Sequence, residues 1–180
     1  MVWVRSEYAG EFAVLSAWLS ALLPWSVSFA QAGAFTLVVL RFPLFLFQFT
    51  LNLQLPNERP FQTVVTATAI ESGAVGRAYT VWLVGAGVFL LALLLSVAYY
   101  ALDERLEERS PIDPVRLMAV LLLGTGLVLA LSTALLFTSY AGGAVPIGVF
   151  FLFALGYLLL VVERTEADAD AEDGTTPTPE

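Results

Sequence analysis

The chain has no cysteine and no histidine, and all eight of its basic residues are arginine. Without cysteine there are no disulfide staples, thiolate metal sites or thiol nucleophiles; without histidine there is no imidazole for acid–base work or metal ligation. A serine or threonine nucleophile would then have neither histidine nor lysine as its base. Charge is also scarce. Ionisable residues make up 13% of the 180, against 58% hydrophobic, and mean hydropathy is +0.81. That balance exceeds what a water-soluble fold of this length carries and makes lipid the expected solvent. The formal charge of −8 and pI near 4.4 leave no basic footprint for nucleic acid. The acidity sits at one end. Glu163, Glu166, Asp168, Asp170, Glu172, Asp173 and Glu180 stand against Arg164 alone, so 163–180 reads as a disordered acidic tail.

Four stretches are free of charge and long enough, at 1.5 Å per residue, to cross a hydrocarbon layer of about 30 Å. They cover 12–30, 78–102, 117–140 and 144–162. Asp113-Pro114 supplies an N-cap with proline at the first helical position, and Pro146 suits the start of the last stretch. Arg5, Arg105, Arg109, Arg116 and Arg164 fall on one side of such a layer and Arg41, Arg59 and Arg77 on the other. The excess of arginine puts both termini in the cytoplasm. Trp3 and Tyr99-Tyr100 are then expected at the inner interface, and Trp25, Tyr79, Trp82 and Tyr140 at the outer one. Ala30-Gln31-Ala32 has the form of a signal-peptide cleavage site, but Glu7 and Glu11 outweigh Arg5 where such a peptide wants net positive charge.

Residues 33–73 are too many for a plain connection and predict structure of their own. From Phe45 the chain alternates, with Phe45, Phe47, Phe49, Leu51, Leu53 and Leu55 on one side and Gln48, Thr50, Asn52 and Gln54 on the other. Period two is strand periodicity. Pro56-Asn57-Glu58-Arg59-Pro60 reads as a turn, 61–70 as a returning strand rich in β-branched residues, and 35–42 as a third strand ended by Pro43. The rival is a fifth helix over 33–55. It would place Arg41 mid-bilayer at about 2.5–3.5 kcal/mol.

The polar candidates have ordinary readings. Glu7 and Glu11 suit the dipole of a helix N-terminus, and Asp103-Glu104-Arg105-Leu106-Glu107-Glu108-Arg109 continues a helix with charges three and four apart. The four stretches hold no Asp, Glu, Lys or Arg of the kind that marks an ion path. Small residues recur at helical spacing as Ala13, Ala17 and Ala21 and as Gly126, Ala130 and Ala134, the pattern by which helices approach closely in lipid. Arg41, Phe45, Phe47 and Phe49 form a candidate interaction surface, the aromatic row needing something to bury it.

The strings Val2-Trp3-Val4-Arg5-Ser6-Glu7-Tyr8, Leu23-Pro24-Trp25, Arg41-Phe42-Pro43, Ser96-Val97-Ala98-Tyr99-Tyr100, Asp113-Pro114-Val115-Arg116-Leu117 and Pro146-Ile147-Gly148-Val149 carry a resemblance. In them the chain resembles a family of haloarchaeal multi-pass membrane proteins with no assigned function. The resemblance implies a membrane location and names no chemistry. The expectation is therefore an α-helical integral membrane protein of the cell membrane: a four-helix transmembrane bundle with a small extracellular antiparallel β layer between the first and second helices. Its expected role is a non-enzymatic scaffold or accessory subunit, without cofactor or metal. Its partners would be the lipid bilayer and a membrane protein or further copies of itself, and not nucleic acid. The alternative is a small oligomeric transporter or channel lined by Ser16, Ser20, Thr125, Ser132 and Thr133.

Overall fold

The computed structural model describes residues 2–33, 35–52, 59–109, 113–139 and 142–165. In chain order the elements are β1 (Val2–Arg5), α1 (Ser6–Leu22), β2 (Ser26–Ala32), β3 (Phe35–Arg41), β4 (Phe45–Leu51), β5 (Phe61–Thr63), α2 (Val64–Ile70), α3 (Gly73–Arg109), α4 (Pro114–Ser139), β6 (Gly143–Val145), α5 (Ile147–Val161) and β7 (Val162–Thr165). The fold is mostly helical with a small antiparallel sheet. α4 starts as its sequence requires: the Asp113 carboxylate accepts from Val115 N at 2.9 Å while Pro114 fills the first turn.

The sheet runs β5-β4-β3-β2-β6 with every pair antiparallel. Two of its strands were not expected. The stretch 12–30 is not one helix: α1 ends at Leu22, ahead of Pro24, which cannot continue a helix, and the chain re-enters as β2. The second is β6, which lies between α4 and α5 and adds to β2 through Val27↔Val145 and Phe29↔Gly143. The sheet thus joins two connections far apart in sequence at one end of the helices. At the other end β1 pairs in parallel with β7 from Val2↔Val162 to Arg5↔Thr165, so residues 163–165 belong to a strand, and 166–180 lie outside the described residues.

β3 and β4 occupy 35–41 and 45–51, which excludes the fifth helix over 33–55. The expected strand over 61–70 stops after three residues. Thr63 caps a helix there, its hydroxyl accepting from Thr66 N, and Val64–Ile70 turns helical. The turn at 56–60 falls largely outside the described residues.

Two helices are long and apolar enough to cross a membrane, Gly73–Ala101 within α3 and α4 itself. The expected four spans are not reproduced: α1 and α5 are apolar but short, because strands take over the chain where each helix was expected to run on. Only 33% and 39% of the apolar windows of α3 and α4 are buried inside the chain. A core helix of a soluble protein is mostly buried, whereas these leave most of their residues short of full burial. Between the helices the approach is close. A Cβ on Gly156 of α5 would lie 2.7 Å from Leu123 Cγ of α4, and one on Gly85 of α3 would lie 2.9 Å from Leu129 Cδ2 of α4.

Candidate functional site

Directly opposed residues of an antiparallel pair point to the same side, so the register sorts the sheet into two faces. One face carries Ser26 and Ser28 of β2, Val39 and Arg41 of β3 and Leu46 of β4, linked by Ser26↔Arg41, Ser28↔Val39 and Arg41↔Leu46. These are fully or almost fully buried, and they lie against α3. The other face carries the aromatic row.

Arg41 occupies the centre of the inner face at 0% exposure. Its Nη1 donates to Ser28 Oγ at 2.6 Å, while Nε and Nη2 donate to Tyr79 Oη at 3.3 and 3.1 Å. The guanidinium carbon also stands 5.4 Å from the centroid of the Tyr79 ring, within cation–π range. One side chain thereby links β2, β3 and the first turns of α3. Beside it two tryptophans grip the bend that follows β3: Trp25 Nε1 donates to Phe42 O at 3.1 Å and Trp82 Nε1 to Pro43 O at 2.9 Å. The indoles are tilted together at 6.0 Å, and Tyr79 meets Trp82 edge-on at 5.4 Å. Pro43 creates the bend and, lacking N–H, leaves its carbonyl as the group to satisfy. Thr68 Oγ1 of α2 donates to Tyr79 O at 3.3 Å, closing the cluster from above.

Trp25, Tyr79 and Trp82 were expected as outer interfacial anchors, but their exposures are 1%, 4% and 0%. Each uses its polar tip inside the protein instead, on a carbonyl or on Arg41. Ser26, Ser28 and the role of Tyr79 escaped the sequence reading. The available signal was the alternation Ser26-Val27-Ser28-Phe29, hidden by its continuity with the apolar run before it. Ser26 Oγ is buried without a hydrogen-bond partner.

The aromatic row turns away from the helices. Phe42 stacks on Phe45 at 4.7 Å, Phe47 meets Phe45 edge-on at 5.6 Å, Phe49 stacks on Phe47 at 6.3 Å, and Phe61 of β5 tilts against Phe47 at 5.3 Å. The alternation holds over Phe45–Leu51, with Leu53, Gln54 and Leu55 outside the described residues, and the face with Leu46 goes inward, since Arg41 opposite it must reach Ser28 and Tyr79. Phe45 and Phe47 are half-buried by their neighbours, and Phe49 stays exposed.

The small-residue positions separate. Ala13 and Ala17 are buried and Ala21 half-buried in α1; in α4 Gly126 is buried against Leu152, Ala130 is half-buried and Ala134 exposed, so that stripe winds out of the helix contact. The hydroxyls suggested as a pore lining are buried and spent on main-chain carbonyls: Ser16 on Phe12, Ser20 on Ser16, Thr125 on Leu121, Thr133 on Leu129 and Ser132 on Ala78 of α3. They are buried within the chain. Glu11 is exposed, whereas the side chains of Glu7 and of 103–109 lie outside the described residues. No group of three or more metal-ligating side chains occurs among the described residues.

A family described as a family of unknown function (DUF7549) matches residues 2–164, all of the chain but its acidic end. No curated protein matches the chain.

Proposed function

We propose, from the premise that the chain belongs to this family of unknown function, that it is a multi-pass membrane protein with a non-enzymatic role, a scaffold or accessory subunit of a membrane complex. The observation that carries the reading is an exterior as apolar as the interior along the helices, with the buried polar groups held by hydrogen bonds inside. Ser16, Ser20, Ser96, Thr125, Ser132, Thr133 and Arg41 are buried, while Trp18, Leu94, Leu127, Phe137, Phe150 and Tyr157 are exposed on α1, α3, α4 and α5. In water so much large apolar surface along the helices would be costly; hydrocarbon as solvent accommodates it, since buried hydroxyls find carbonyls and lipid meets the apolar side chains. All four of these helices then lie in the bilayer, α3 and α4 crossing it outright. The charge bias places the sheet outside the cell and both termini inside, and the resemblance to haloarchaeal membrane proteins agrees.

The non-enzymatic role is supported by what the buried polar groups do. Arg41 holds Ser28 and Tyr79, the indole N–H groups hold Phe42 and Pro43, and the hydroxyls hold helix carbonyls. These contacts tie strand to strand, the sheet and its bend to α3, and α4 to α3, which is the work of a rigid display.

The chain has no lysine for common crosslinkers, so the test uses a photoreactive phenylalanine analogue at Gln31 or Thr36 on the far rim of the sheet, irradiated in native membranes. An adduct with one reproducible membrane protein is expected. No adduct under several growth conditions would contradict the accessory role.

A further inference from the structure

The outward face of the sheet is apolar over most of its height, and among the described residues much of it is left open. Phe29, Phe49, Leu51, Phe61 and Val145 are each 43–50% exposed, and Val38, Leu40, Phe45 and Phe47 fill the surface between them. Polar residues stand at the far rim, where Gln31 pairs with Thr36 and Asn52 follows β4, and at the β5 edge, where exposed Thr63 pairs with Phe45. We propose that this face is a lipid-contact surface, set into the bilayer leaflet on the sheet side, where it completes the hydrophobic height that α1 and α5 lack. The inference rests on the membrane reading above and adds a commitment about the sheet.

Length is the first argument. α5 has 15 residues, roughly 22 Å, against a hydrocarbon layer of about 30 Å. α1 ends at Leu22 and passes through Pro24 and Trp25 directly into β2, while β6 leads through Pro146 directly into α5. The sheet therefore stands where the missing turns of both short helices would be. α3 runs past its inner face, as the contacts of Tyr79 and Trp82 require, and α4 is bonded to α3 at that level through Ser132 and Ala78. A strand rises about 3.3 Å per residue, so the two steps from Val27, which is covered, to Phe29, which is exposed, add about 7 Å above α1 and bring the apolar exterior close to the bilayer thickness. The change to Gln31, Thr36 and Asn52 then falls where headgroups and water begin.

Continuity is the second argument. On the helices flanking the sheet, Leu19 and Leu22 close α1, Phe150 and Phe151 open α5, and Phe137 lies near the end of α4; all are exposed. The aromatic row extends that belt across the sheet, interrupted at exposed Thr63 and Thr138, and aromatic rings concentrate at the level where acyl chains meet headgroups. The third argument is the edges. A sheet in contact with lipid must hide its unpaired main-chain groups. Its edge strands β5 and β6 have three residues each, and Val64 N, next after β5, donates to Leu44 O at 2.9 Å. Short edges at the interfacial level keep few main-chain groups from water.

The chain has no native cysteine, so spin labels on Phe29→Cys and Phe49→Cys report this face, Leu127→Cys reports the middle of α4, and Gln31→Cys reports the rim. Each variant is purified full length and reconstituted in phosphatidylcholine–phosphatidylglycerol vesicles, and collisions with oxygen and with a water-soluble nickel chelate are compared. Oxygen should exceed nickel severalfold at Phe29, Phe49 and Leu127, with the order reversed at Gln31. Oxygen dominance at Leu127 with nickel dominance at Phe29 and Phe49 would overturn the proposal and leave the membrane reading standing. Shielding of Phe29 and Phe49 from both reagents would overturn it as well; line broadening relieved by dilution with unlabelled protein would then identify a second copy as the occupant. Nickel dominance at Leu127 would remove the membrane reading and the proposal with it.

Discussion

Arg41 and the two serines opposite it set a sharp contrast between neighbours. Ser28 Oγ accepts a 2.6 Å bond from the guanidinium, whereas Ser26 Oγ, equally buried, has no partner. Ser28→Ala strips an acceptor from a buried cationic group and is expected to destabilise the fold by about 1.5–3 kcal/mol. Ser26→Ala removes a hydroxyl that burial already penalises, so it should be neutral or stabilising by up to about 1 kcal/mol. Unfolding of both variants in one detergent, followed by circular dichroism, gives the comparison; equal destabilisation would mean that the Arg41 cluster does not hold the sheet. Tyr79→Phe tests the same cluster from the helix side. It leaves Nε and Nη2 of Arg41 without Oη and should cost at least as much as Ser28→Ala in that assay.

At the scale of elements, what was legible in the sequence tracks how local the signal is. Charge-free runs located α3, α4 and α5, and the Phe45-Leu46-Phe47-Gln48-Phe49 alternation located β4, because each pattern is written in consecutive residues. β6 was not legible: Gly143-Ala144-Val145 becomes a strand only because β2, more than a hundred residues earlier, offers it an edge. The start of β2 was hidden by apolar continuity with α1, and α2 by the β-branched residues that a capping Thr63 turns helical. Of the candidate site, Arg41 stood out as a charge amid apolar residues. Its partners did not, because Ser28 and Tyr79 meet it only through tertiary packing. Close helix contact gives a test at this scale. Gly156→Leu forces a side chain into Leu123 and Ala119 O and should destabilise by about 1–3 kcal/mol. By contrast Gly87, with open space around its Cβ position, should accept alanine with a gain of about 1 kcal/mol from helix propensity. Thermal melting of the two variants in detergent would show the opposite shifts.

For the whole molecule, the helices and the sheet share one arrangement: bonded hydroxyls and Arg41 sit inside among large apolar and aromatic side chains such as Trp25, Trp82, Phe89 and Leu122, and the outside is largely apolar as well. Helices that leave most of their apolar surface uncovered, a sheet that buries serine and displays phenylalanine, and a chain with 13% charge are one fact seen three times, provided hydrocarbon surrounds the bundle. The central claim is therefore that the ends of α3 and α4 joined to the sheet lie on one side of a membrane and the α3–α4 connection on the other. Single cysteines at Asn57, in the sheet-side connection, and at Arg116, exposed at the start of α4, probe the two sides with an impermeant thiol reagent. Asn57→Cys should label on intact cells and Arg116→Cys only after the cells are opened. Labelling of both positions to the same extent before and after opening, or recovery of the protein in the soluble fraction, would contradict the account.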